Sequence, residues 1–157
     1  MKKNRNVFKL LIILAGMVLA GAQPAASQSP MADSAFYWLQ KSLQGSAVDT
    51  VAFEKGTTVI IKLTTLPDSL IRQFEEKVGS FPRGEEEYWR YRILFSILIN
   101  LSTSDMDRAI TYGKRIYGEA EKLKGPHAAW IRSTLLKQLR LPFRNSGQIS
   151  EIGRAHV

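Results

Sequence analysis

Four groups of side chains in this sequence have the types and spacing to do chemistry, and each has a plainer reading. Glu85-Glu86-Glu87 places three carboxylates in a row, a set able to hold a hard cation or to share a proton in acid–base work. They follow Gly84 and precede a long apolar run, so they fall in the first turn of a helix, where negative charge complements the macrodipole. Tyr88, Trp89, Tyr91 and Phe95 come next and could box a ligand, but aromatics at that density on one helix more often form core. His127 follows Gly125-Pro126 at a second helix start, which suits a solvent-facing or capping role. Arg132, Lys137, Arg140 and Arg144 form a basic strip without the interleaved aromatics of a single-strand groove. We read it as a solvated face and expect no nucleic-acid partner. No Gly-x-Ser-x-Gly, His-Glu-x-x-His or phosphate loop occurs. The expectation is no catalytic, cofactor-binding or metal-binding residues, and no enzyme.

The elements that would carry these groups are helices, so the expected fold is mainly α. Two of them form a hairpin over 84–125. The first holds Ile93-Leu94-Phe95-Ser96-Ile97-Leu98-Ile99-Asn100-Leu101, the cluster Ser102-Thr103-Ser104-Asp105 marks the turn, and Met106, Ala109, Ile110, Gly113, Tyr117 and Ala120 share a face of the second. Gly113 costs about 1 kcal/mol against alanine in mid-helix and so points to close approach by a neighbouring helix. Ala128, Ile131, Leu135 and Leu139 form the stripe of the next helix, which Pro142 bends or ends. Upstream, 31–44 reads as a short helix with Asp33 or Ser34 as its cap, and Gly45 as its stop. Pro67 or Asp68 opens another, with Leu70, Phe74 and Val78 on one face, and Phe81-Pro82-Arg83-Gly84 breaks it. Between these, the β-branched run Thr57–Thr65 predicts an extended segment, a short β-hairpin near 48–65 turning at Lys55-Gly56.

Composition agrees with a folded chain: of 157 residues, 45% are hydrophobic and 23% charged. The net charge of +8 suggests a polyanion partner until it is located. Lys2, Lys3, Arg5 and Lys9 supply four of the eight, which leaves +4 for everything after Ala22, a mild surface excess. Cysteine is absent, so neither disulfides nor thiolate chemistry enter.

The basic start, the 11-residue apolar run Leu10–Ala20 and the small residues Ala20-Gly21-Ala22 have the layout of a secretory signal peptide over 1–22, with Ala20 and Ala22 as the small residues of the cleavage pattern. A retained anchor would need about 20 apolar residues, and Lys9 stops the run from extending backward. The chain is expected to be exported to the periplasmic or extracellular side of the envelope. A flexible spacer over 23–30, N-terminal helices with the extended segment over 31–83, and helical hairpins over 84–150 follow. The last seven residues, Glu151-Ile152-Gly153-Arg154-Ala155-His156-Val157, resemble a translated short-read sequencing adapter. We therefore expect a non-native tail over 151–157 and give Arg154 and His156 no role.

Asp107-Arg108-Ala109-Ile110-Thr111-Tyr112-Gly113 resembles the second helix of a tetratricopeptide repeat around its small alanine. Leu136, Leu139, Phe143 and Gly147 resemble the first helix of the next repeat and its turn glycine. Arg140 and Pro142 depart from that pattern. Glu-Glu-Glu-Tyr-Trp-Arg-Tyr-Arg on an apolar helix, then Leu-Pro-Phe-Arg-Asn-Ser-Gly-Gln entering a repeat, resembles the exported N-terminal region of Bacteroidetes-type repeat-containing sensor histidine kinases. The resemblance implies an antiparallel α-solenoid start, a protein or peptide ligand, and stacking on the protein's own downstream repeats. It further implies membrane attachment only through a downstream segment and room for a homodimer of the full-length protein. On that reading the apolar excess of the hairpin belongs to neighbours absent from the chain, and an uncapped, association-prone or partly molten fragment is expected.

Overall fold

The computed structural model describes residues 29–76 and 81–145, without the side chains of Leu141 and Asn145. Six helices make up this part: α1 Pro30–Ser42, α2 Thr50–Lys62, α3 Asp68–Glu76, α4 Glu86–Ser104, α5 Met106–Glu121 and α6 Ala128–Asn145. They pack as antiparallel pairs. The signal-peptide residues Ala20 and Ala22, the spacer before Ser29, Lys77 and Val78, Gly147 and the tail 151–157 lie outside the described residues.

The first helix starts earlier than its sequence suggested. Ser29 is the N-cap, its hydroxyl accepting from the Ala32 amide, and Pro30 occupies the first turn, where its missing N–H is no loss. Asp33 and Ser34 therefore sit inside the helix rather than capping it.

The expected β-hairpin near 48–65 is not there: this stretch is the helix α2, and the described residues contain no strand. Asp49 decides its start, accepting from the amides of Val51 and Ala52 through one carboxylate oxygen. Ala52, Phe53, Gly56, Thr57 and Ile60 are then buried at alternating steps of one and three residues, a helical stripe hidden within a β-branched composition. Gly56 is not a turn residue but the crossing point with α1. A Cβ there would lie 2.9 Å from Leu39 Cγ and 3.1 Å from the Leu39 backbone nitrogen.

The neighbours that α4 needs are supplied by this chain. α4 contacts α2, α3, α5 and α6, and ten of its residues are buried, from Trp89 to Leu101. A helix apolar all round is a central helix, and one hydrophobic cluster joins Ala32 of α1 to Phe143 of α6 around it. This corrects the reading of its apolar excess as a face left bare by missing repeats. Among the described residues the exposed large hydrophobics are Met31, Tyr37, Val51 and Trp130, scattered rather than a continuous uncapped face.

Turns follow side-chain chemistry. Ser102, Thr103 and Ser104 still belong to α4, their hydroxyls donating to the carbonyls of Leu98 and Asn100, so the turn reduces to Asp105. That residue caps α5 by accepting from the Arg108 amide. Pro142 neither ends nor follows α6; the helix runs on to Asn145.

Candidate functional site

The residues that looked chemical in the sequence are placed mostly by packing. Glu85 accepts from the Trp89 indole at 2.8 Å, and Glu86 and Glu87 occupy the first turn of α4. Trp89, Tyr91 and Phe95 are buried. Trp89 meets Phe53 edge-on at 4.8 Å, and Tyr88 faces both His127 and Trp130 at about 5 Å. His127 is thus half-buried against an aromatic ring rather than free in solvent. Arg132 leaves the expected basic face: its guanidinium donates to the carbonyls of Ala120 and Leu123 and closes the C-terminal end of α5. Lys137, Arg140 and Arg144 are exposed.

The repeat-like positions fall on two packed helices. Ala109, Ile110 and Gly113 are buried on α5, Leu139 and Phe143 on α6, and Leu136 is half-buried. Gly113 marks the crossing of these helices. A Cβ there would overlap Leu139 Cδ2 and come within 3.4 Å of Leu98 Cδ1.

A feature that sequence reasoning did not find lies between α3 and α5. Arg108 bonds Asp68 and also the Leu66 carbonyl, and Arg115 bonds Glu75. The residue numbers rise together with an offset of 40 in both pairs, so the two helices run parallel in fixed register. Seven residues separate the rungs along each helix, about 10 Å. Between the rungs is an open slot of about 470 Å³, with Ile71, Leu101 and Tyr112 among its lining residues and Arg72, Thr111 and Asp107 also facing it. The offset of 40 sets Arg72 level with Tyr112, midway.

The electrostatics are uneven. Asp68 and Glu75 are already engaged by arginines, and Arg115 is shared between Glu75 and Glu119. Burial, the largest single influence, lowers the Arg115 pKa, but its hydrogen bond to Glu75 together with the charges of Glu75 and Glu119 outweighs this and the net shift is upward. Arg72 makes no ion pair among the described residues. The Tyr112 hydroxyl is buried, and its nearest acceptor is the Glu75 carboxylate, beside it but beyond ordinary hydrogen-bond geometry. Its burial, with Glu75 beside it, pushes the phenol pKa far above its ordinary value and keeps it protonated. Among the described residues no group of three or more His, Cys, Asp or Glu side chains is arranged to hold a metal ion.

No family model matches this chain, and no curated protein or solved structure matches it. Function therefore rests on the geometry just described.

Proposed function

We propose that this chain is a non-catalytic binding module, an exported ligand- or protein-binding input unit of a signal-transduction protein. The observation that supports it is the slot between α3 and α5, walled by two ion-paired rungs with Ile71, Leu101 and Tyr112 between them. A pocket of a few hundred Å³ with an apolar floor and a few polar groups is the usual form of a small-ligand site. The tetratricopeptide-like segments on α5 and α6, and the signal-peptide layout before them, carry the exported and signalling parts of the reading by resemblance. In such a module a ligand that bridges α3 and α5 would bias how they sit on α4, and that shift would be the output.

A freestanding secreted or periplasmic helical scaffold, without signalling output, is the second reading. The single core closed around α4 favours it, because a closed unit needs no partner for stability. Two measurements separate and test these readings. Expression with its own N-terminus in a bacterial host should give an exported protein starting after Ala22, and thermal-shift screening should find small ligands that stabilise it. An uncleaved cytosolic product would sink the exported reading. The absence of any stabilising ligand or captured peptide would sink the input module and leave the scaffold.

A further inference from the structure

We infer that the outer face of the α1–α2 hairpin docks on an anionic phospholipid surface, its lysines meeting the headgroups while Met31, Tyr37 and Val51 enter the interface. The inference goes beyond the binding-module reading and does not rest on it, because the slot lies on α3 and α5. It also goes beyond the resemblance, which implies membrane attachment only through a downstream segment.

Two stripes make this face. Met31, Ser34, Trp38 and Lys41 follow one another along α1 at steps of three, four and three. Val51, Lys55, Thr58 and Lys62 do so along α2 at steps of four, three and four. Neither stripe shares a residue with the buried side of its helix. They meet at Trp38, whose ring centroid has Lys55 Nζ at 4.4 Å and Lys41 Nζ at 5.1 Å. Antiparallel pairing then sets Met31 level with Lys62, and Lys41 level with Val51, along about 15 Å of helix. Tyr37 widens the face, its ring edge-on to Trp38 at 5.2 Å.

Exposure and charge are both concentrated here. Three of the four exposed large hydrophobics among the described residues belong to it, Met31 at 40%, Tyr37 at 58% and Val51 at 64%. Lys41, Lys55 and Lys62 are exposed and make no ion pair among the described residues. Neither stripe contains Asp or Glu. Glu54 is turned to Arg92, and Asp49 to the amides that start α2. Asp33, one turn before Tyr37, is the acid at the edge of the face.

This composition fits lipid better than protein. A stacked helix needs a continuous apolar face, whereas here apolar tips alternate with lysines. Protein interfaces favour arginine and deplete lysine, and all three cations are lysines. A second copy would set three lysines against three. A polyanion without an apolar phase would leave Met31 and Val51 in water. Trp, Tyr and Lys, with apolar bodies and polar tips, settle at a bilayer interface, and anionic headgroups supply the missing counter-charge.

Vesicle cosedimentation tests this with residues 23–157, because the apolar run 10–20 would bind lipid by itself and the hydrophobic core spans Ala32 to Phe143. Vesicles of equal parts phosphatidylglycerol and phosphatidylcholine should bind at least about tenfold more tightly than phosphatidylcholine alone, and less so at high salt. Lys41→Gln, Lys55→Gln and Lys62→Gln should each weaken binding about fivefold, and Val51→Ser by about as much through lost apolar burial. A control that removes the same charge from α6, with Lys137→Gln, Arg140→Gln and Arg144→Gln combined, should stay within about twofold of the parent. Every substituted residue is exposed, so the far-ultraviolet spectrum should not change. Equal binding to both vesicles would overturn the inference. So would an α6 control as weak as the three hairpin lysine variants combined, because net charge and not this face would then be acting. Binding indifferent to Val51→Ser would reduce the face to a polyanion site and overturn its entry into lipid. A dimer in sedimentation velocity without vesicles, dissolved by Val51→Ser, would assign the face to a second copy instead.

Discussion

Asn100 interrupts the most apolar run of the chain, and replacing it by leucine should be among the costliest single changes in the molecule. Its side chain is 1% exposed. The amide nitrogen donates to the carbonyls of Ile60, Ile61 and Leu63 at 3.1, 3.1 and 2.7 Å. Those carbonyls lie at the C-terminal end of α2, where the last four have no partner within the helix. Ile60 has a second partner in the Leu63 amide; Ile61 and Leu63 depend on Asn100 among the described backbone and side-chain bonds. Asn100→Leu removes two N–H donors, about 1 kcal/mol each, and leaves at least one buried carbonyl bare at about 1–3 kcal/mol. Leucine is the better helix former by a few tenths of a kcal/mol, a small offset. The net expectation is a loss of about 3 kcal/mol, or roughly 6–12 °C in melting temperature for a domain of this size. Urea unfolding followed by circular dichroism measures it directly. A variant within about 0.5 kcal/mol of the parent, the range of an indifferent surface change, would refute the clamp and show that water already satisfies the end of α2.

Gly56→Ala should destabilise by about 2–3 kcal/mol, because its Cβ meets the Leu39 backbone, whereas Gly113→Ala should cost about 1 kcal/mol, since it meets the movable end of Leu139 and gains helix propensity. Chemical denaturation of the two variants should give that order, and the reverse order would mean α6 is held more rigidly than α1. Tyr112→Phe should change stability by no more than about 1 kcal/mol, because the buried hydroxyl has only the poorly aligned Glu75 carboxylate beside it; a loss of more than about 1.5 kcal/mol in a thermal melt would show a full-strength bond. Burial pushes the Tyr91 phenol up to about 12, and Tyr112 is shifted the same way. Both are neutral in the fold, and the unfolded chain ionises near pH 10. Their contribution to stability is therefore whole below pH about 10 and is lost as pH rises from there towards about 12. Difference absorbance during an alkaline titration should show these two tyrosines ionising only as the fold is lost, and early ionisation of all five tyrosines in a still-helical protein would refute their burial.

Much of the architecture was legible in the sequence, because helical stripes and capping residues are local. The spacing of Ala109, Ile110, Gly113 and Ala120, and of Ala128, Ile131, Leu135 and Leu139, locates two buried faces, and Gly113 announces the close crossing that Leu139 makes. The same local reasoning failed over 48–65. β-Branched side chains state a preference worth tenths of a kcal/mol per residue, and it yields to an Asp49 cap and to Phe53, Gly56 and Ile60 packing on α1 and α4. That partnership is tertiary and leaves no mark in the run itself. For α4 the sequence specified that neighbours must exist on every side, while only the tertiary structure decided that α2, α3, α5 and α6 are those neighbours. The slot was invisible for a related reason. Arg72, Asp68, Glu75, Arg108, Tyr112 and Arg115 read separately as ordinary polar faces of two amphipathic helices. Their meaning depends on a parallel register of 40 residues between segments that are distant along the chain, and only packing of both helices against α4 fixes that register.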